Sequence, residues 1–177
     1  MRLQAVALLS FFGVMTAAAE NLLPGDSGFE TGPSCLVTSS FAGTPRWSLD
    51  SSTKAEGVYS IKIKFPQNDW VHSRMIPLEA GEYTLSFYAK SNKENVSMKA
   101  GICLPWTDNL SKHFTISNEW KRYSMTGKIK NGYCWIFFGS NQSSTDIWLD
   151  SVQLEKGGGN QQTTNLQNLY SQVFISR

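Results

Sequence analysis

From residue 58 onward the chain alternates apolar and polar side chains with a period of two, the mark of strands with one buried face. In Val58–Phe65, Ile61, Ile63 and Phe65 point one way and Ser60, Lys62 and Lys64 the other, and Pro66 closes the run. A shorter strand is expected over Trp70–Pro77. Tyr83–Ser91 sets Tyr83, Leu85, Phe87 and Ala89 against Thr84, Ser86, Tyr88 and Lys90, and Val96–Cys103 turns Val96, Met98, Ala100 and Ile102 inward. Lys112–Ile116 and Trp120–Ile129 follow, the latter with Tyr123 and Met125 inward. Asn131-Gly132 is a hairpin-type turn into Gly132–Ser140. In Asp146–Glu155 the inward set shifts from Ile147 and Leu149 to Val152 and Leu154, which predicts a bulge near Asp150-Ser151. Ahead of these, Asn21–Pro24 reads as a short first strand and Pro33–Pro45 as a loop, with Trp47 isolated before the turn-rich stretch Leu49–Gly57. No amphipathic helix interrupts residues 21–155. Eight to ten short strands at this spacing specify an all-β fold, an antiparallel β-sandwich of jelly-roll type.

Gly132–Ser140 departs from the pattern. Cys134, Ile136 and Phe138 share one face, and Tyr133, Trp135 and Phe137 the other, so both faces are apolar. An antiparallel strand normally buries one face and wets the other. The second face is therefore covered either by a loop of the chain or by a bound ligand, and the ligand reading is preferred.

The ends read differently from this middle. Residues 1–19 combine Arg2, an apolar run from Ala5 to Thr16 and the small residues Ala17-Ala18-Ala19, the pattern of a secretory signal peptide cleaved after Ala19. The apolar run is short for a bilayer span. The expected organisation is a leader over 1–19, a β-sandwich over 20–156, and a Gly-rich linker with a polar tail over 157–177. The product is then secreted, extracellular or periplasmic, and monomeric. Charged residues make up 17% of the chain with a formal net charge of +2, below the roughly 25% usual for soluble proteins. With no basic run, nucleic acid and membrane partners are not expected. Cys35, Cys103 and Cys134 have no zinc-type spacing and allow one disulfide with a thiol left over, or three thiols.

Five stretches, in order, resemble one family. Asn21–Gly32 (NLLPGDSGFETG) is similar to an opening N-L-x-x-N-G-x-F-E-x-G, and Gly57–Ile63 to a G-x-x-S-L-x-V strand. Tyr83–Ser91, Trp120–Tyr123 and Ile147–Glu155 are similar to Y-T-L-S-F-W-A-K-A, W-x-x-Y and I-Y-I-D-D-V-x-L-E. These are motifs of the carbohydrate-binding modules grouped as families 4, 9, 16 and 22. The resemblance covers about residues 21–156. It implies a galactose-binding-domain-like β-sandwich that binds a polysaccharide or oligosaccharide without catalysis, commonly fused to or associated with a secreted glycoside hydrolase. It also implies a structural calcium ion (Ca2+) held by Glu30 and Asp150 with carbonyls around Lys54–Gly57. Ser151 stands where the motif has a second Asp, one ligand fewer. Without a cation, Glu30 caps a turn and Asp150 satisfies the bulge.

Aromatic residues carry the binding expectation, because sugar rings present flat C–H patches to Trp and Tyr while their hydroxyls need polar neighbours. The family geometry places the glycan on a concave sheet face. Trp135 and Tyr88 are expected to share that face, with Tyr133 beside Trp135 and Trp70 and Trp106 at its rim. Ser86, Lys90, Lys99 and Asn141 are the candidate polar partners. Trp120 and Trp148 read as packing, and Trp47 as core. His72 and His113 lie on separate strands, and no Gly-x-Ser-x-Gly or His-Glu-x-x-His motif is present. Two alternatives stay open: a small jelly-roll glycan-active enzyme, and an accessory domain whose aromatic face meets another protein module.

Overall fold

A computed structural model describes residues 20–32, 34–38, 47–65, 69–103, 110–140 and 145–157. The leader, nearly all of the tail, Trp106 and Asn141 lie outside the described residues. Eleven strands run in chain order among those described: β1 (Leu36–Thr38), β2 (Trp47–Asp50), β3 (Ser60–Lys64), β4 (Asp69–Ser73), β5 (Ile76–Leu78), β6 (Gly81–Ser91), β7 (Val96–Cys103), β8 (Leu110–Ile116), β9 (Lys121–Ile129), β10 (Gly132–Ser140) and β11 (Asp146–Lys156). They form two antiparallel sheets. The first has the order β1-β4-β10-β7-β8, with β5 also pairing β10; the second has the order β2-β3-β11-β6-β9. Residues 20–162 make up one compact unit.

The alternation read from the sequence decides the core. Ile61, Ile63, Leu85, Phe87, Ala89, Met98, Ala100, Ile102, Cys134, Ile136, Phe138, Ile147, Leu149, Val152 and Leu154 are all fully buried in one cluster between the sheets. Phe87 of the second sheet locks the halves together. Its ring lies edge-on to Phe138 at 5.0 Å and to Phe114 at 5.3 Å, both from the first sheet, the geometry aromatic quadrupoles favour.

The bulge in β11 is present: its register against β6 shifts between Asp150 and Gln153, and Ser151 has φ 44°. Three expectations are corrected. Residues 33–45 are not all loop, since Leu36–Thr38 pairs with β4. Trp47 begins a strand rather than standing alone; it packs against the core, as expected of it. Asn21–Pro24 forms no strand. Instead, Asn21 ties it to β11, donating from Nδ2 to the Val152 carbonyl (3.0 Å) and accepting from the Leu154 amide at Oδ1 (3.0 Å). That side chain thereby satisfies β11 backbone groups beyond the end of its pairing with β3.

The expected single strand Trp70–Pro77 is two, and the break has a definite form. His72 pairs with Phe137, whereas Ile76 pairs with Cys134. The residue sums differ by one, so Arg74 and Met75 together oppose the single residue Trp135, which is a bulge. Ser73 points inward and spans the gap: its Oγ accepts from the Ile136 amide (3.0 Å) and donates to the Arg74 carbonyl (2.8 Å). Arg74 and Met75 are both exposed.

Candidate functional site

The core leaves each sheet with one outward face, and the two faces differ in chemistry. On the first sheet, β10 turns Tyr133, Trp135 and Phe137 outward. Tyr133 is 63% exposed, and Trp135 and Phe137 are half-buried. Register places His72 beside Phe137, and Trp70, 45% exposed, beside Gly139. The His72 and Trp135 ring centres lie 6.0 Å apart with planes at 49°. His72 Nδ1 is 2.8 Å from the Ser73 carbonyl oxygen. That acceptor puts the proton of a neutral ring on Nδ1 and leaves Nε2 as an acceptor.

On the other side of β10, β7 sets Cys103, Gly101 and Lys99 against Trp135, Phe137 and Gly139. Gly101 is required here. A Cβ on it would stand 2.9 Å from Cε1 of Phe137, 2.8 Å from Cβ of Ser111 and 2.4 Å from the Leu110 carbonyl oxygen. The Phe137 ring therefore lies over bare backbone, with Lys99 Nζ 6.0 Å from its centre. The face is a run of rings, from Trp70 through His72 and Phe137 to Trp135 and Tyr133, with cationic and imidazole groups beside it.

On the second sheet the outward residues are already engaged with one another. Tyr88 pairs with Arg122 across β6 and β9. The Arg122 Cζ sits 5.0 Å from the Tyr88 ring centre, a cation–π contact. Its Nη2 donates to Ser86 Oγ (2.8 Å) and to Gln153 Oε1. Trp148 lies between Lys62 and Lys90, whose Nζ atoms are 5.0 and 5.7 Å from its ring, and donates to Asp50 Oδ2 (2.8 Å). Trp120 Nε1 donates to Thr53 Oγ1 (3.2 Å).

The expected pairing of Trp135 with Tyr88 is therefore corrected. The two stand on outward faces of different sheets, on opposite sides of the core. Ser86 and Lys90 go with Tyr88, while Lys99, Trp70 and Tyr133 share the face of Trp135. Phe137 shares that face, as its parity with Trp135 requires, and His72, not among the residues expected there, joins it. The place of His72 was not legible, because it depends on which strand pairs with β10.

Glu30 and Asp150 hold a loop. Both Glu30 carboxylate oxygens accept from the Val58 amide (3.0 and 2.9 Å). The carboxylate is packed so close to Gly57 (φ 61°) that a Cβ there would lie 2.0 Å from Oε1. Asp150, fully buried, accepts at Oδ2 from the Ala55 (2.8 Å) and Glu56 (3.0 Å) amides. Burial raises its pKa above the usual carboxylate value, opposed by the amides of Glu56, Ala55 and Ser151. A calcium ion takes six to eight oxygens. Both carboxylates are instead aimed at N–H groups, and no group of three His, Cys, Asp or Glu side chains among the described residues is placed to hold a metal. The donors fit the hydrogen-bonded clamp and do not fit a calcium cage.

No disulfide joins the three cysteines. Burial pushes the Cys35 thiol up to about 12 and Cys134 to about 11; the half-buried Cys103 is also raised by burial, with Lys99 opposing.

No protein-family model matches the chain. No curated protein matches it by sequence. Solved structures do match. TmCBM61 in complex with β-1,4-galactotriose is 18% identical, with a TM-score of 0.60, over 78% of this chain and 100% of that one. The CBM22-1 xylan-binding domain of Paenibacillus barcinonensis Xyn10C is 13% identical, with a TM-score of 0.61, over 81% and 99%. The enzymatically active domain of bacteriophage CBA120 tailspike protein 4 is 17% identical, with a TM-score of 0.57, over 77% of this chain and 21% of that one. The chain has the antiparallel β-sandwich fold found in solved carbohydrate-binding modules.

Proposed function

We propose that this is an exported, non-catalytic carbohydrate-binding module whose glycan lies on the outward face of the first sheet. One observation carries the reading. Trp135, Tyr133 and Trp70 are left outward on a sheet whose inner face is already closed by the core. Water is a poor partner for the exposed parts of such rings, whereas the C–H face of a sugar is a good one. His72 Nε2 and Lys99 supply an acceptor and a donor for hydroxyls at the edge of the stack. On the opposite sheet Tyr88 and Trp148 lie against Arg122, Lys62 and Lys90, and no described ring there is as exposed as Tyr133. The similarity to a galactotriose complex and to a xylan-binding domain supports a glycan as the ligand class. Such modules serve a glycoside hydrolase, fused or separate, by holding it on its substrate.

Affinity electrophoresis through gels containing a panel of plant and bacterial polysaccharides tests this. Retardation by at least one polysaccharide is expected, with Trp135→Ala abolishing it and Tyr88→Ala leaving it within about two-fold. Stacking one sugar face on an indole buries roughly 80 Å² of apolar surface, which at ~25 cal/mol/Å² is about 2 kcal/mol or thirty-fold in affinity. Unretarded migration in every gel, or full retention of binding by Trp135→Ala, would reject the proposal.

A further inference from the structure

The charges beside the aromatic face specify more than a generic sugar site, and the inference they carry depends on that face binding glycan. The sequences of β1, β4, β5, β7, β8 and β10 contain one acidic residue, Asp69, at the first position of β4. The same face carries Lys99, exposed, beside Phe137. It also carries Arg74, exposed and two residues beyond the outward-facing His72, which sets it opposite Trp135. His72 lies 6.0 Å from Trp135, and His113 stands across from Lys99.

Neither Arg74 nor Lys99 has an ion pair among the described residues. The ion pairs found there are Lys62 and Lys64 with Asp146 on the second sheet, and Lys156 with Glu79. A chain with a net charge of only +2 thus sets two cations without an ion pair among the described residues beside its aromatic run. Cations beside a ring stack complement a sugar that carries its own negative charge. A guanidinium matches the two oxygens of a carboxylate or sulfate, while the ring face of the same sugar still offers C–H groups to Trp135.

We infer that the ligand is an acidic polysaccharide, one whose residues bear carboxylate or sulfate groups, with Arg74 and Lys99 reading the charge and Trp135 the ring. The bulge sets the exposed Met75 beside Arg74 opposite Trp135 and returns Ile76 to the core.

The test uses the full chain and matched probes: polygalacturonate against its fully methyl-esterified form, and dextran sulfate against dextran. Affinity electrophoresis or calorimetry at 50 and 500 mM salt reads each pair. The acidic member of at least one pair is expected to bind about ten-fold more tightly than its neutral match, with most of that difference lost at high salt. Which pair responds separates carboxylate from sulfate. Arg74→Gln and Lys99→Gln should each weaken acidic-glycan binding about three- to five-fold, and Arg74→Lys should restore part of it. Arg74→Gln should weaken binding of a neutral glycan less than binding of its acidic match. Equal binding of charged and neutral members, or acidic binding indifferent to Arg74→Gln and Lys99→Gln, overturns the inference and leaves the glycan face standing. Equal binding of polyglutamate, or acidic binding that survives Trp135→Ala, overturns it as charge attraction alone. Failure of all polysaccharides to bind overturns this inference and the glycan face together.

Discussion

Asp150 offers the sharpest test of how the fold holds itself together. Its carboxylate is fully buried and accepts two backbone amides from the loop before β3, at 2.8 and 3.0 Å. Hydrogen bonds to a charged acceptor contribute about 1.5–3 kcal/mol each, so removing both costs roughly 3–6 kcal/mol. Two effects reduce that. Ala55 is only half-buried and Glu56 is exposed, so their amides recover water, and the desolvation of a charge is relieved. Asp150→Ala should therefore destabilise the protein by about 3 kcal/mol. Asp150→Asn keeps the shape and one acceptor oxygen and should cost about 1 kcal/mol. With a urea slope of about 2 kcal/mol/M, the alanine midpoint falls by roughly 1.5 M and the asparagine midpoint by about 0.5 M.

The pH dependence carries a definite sign. Burial raises the folded pKa of Asp150, so between its unfolded and folded values the native state binds more protons than the unfolded chain. This carboxyl's contribution to stability then falls as pH rises through that window and is level above it. Asp150→Asn should remove that slope from the stability–pH curve. An alanine variant within 1 kcal/mol of wild type, or a slope unchanged in the asparagine variant, would refute the clamp.

The same geometry fixes other outcomes. Because Glu30 and Asp150 face N–H donors, millimolar calcium chloride should leave the thermal midpoint unmoved. A rise of several degrees that Asp150→Asn abolishes would place a cation there. Gly101→Ala forces Phe137 or the Leu110–Ser111 backbone to shift and should cost about 1–3 kcal/mol by urea unfolding, together with a measurable loss of glycan affinity. A chromogenic disulfide reagent at pH 8 should titrate Cys103 first, with Cys35 and Cys134 reacting only at the rate of unfolding, since both are buried with raised thiol pKa values. Three equally fast thiols would contradict that burial.

Much of the fold was legible because a strand exposes its parity in its sequence. Val96–Cys103 and Gly132–Ser140 are strands over the expected residues, and the phase shift in β11 marks a bulge. Elements with too few residues to show a period were missed. Leu36–Thr38 has three, and Trp47–Asp50 is exposed at Ser48 and Leu49. Both are edge strands of their sheets, held by pairing on one side. The candidate site was half legible. Trp135, Tyr133 and Trp70 come together on one face; Trp106 lies outside the described residues.

By itself the sequence determined which side of each strand is oily, and so the two sheets' inner faces and the core. It also determined that β10 carries rings on its other side. Only the tertiary structure decided which outward faces coincide. Tyr88 and Trp135 have the same outward parity, yet their strands belong to different sheets and the core lies between them. Likewise, Arg74 stands opposite Trp135 only because β4 pairs with β10 in the register that sets His72 against Phe137. Period two is a local property of a strand. Neighbourhood across a sheet is a property of pairing between strands far apart in the chain, and no local pattern encodes it.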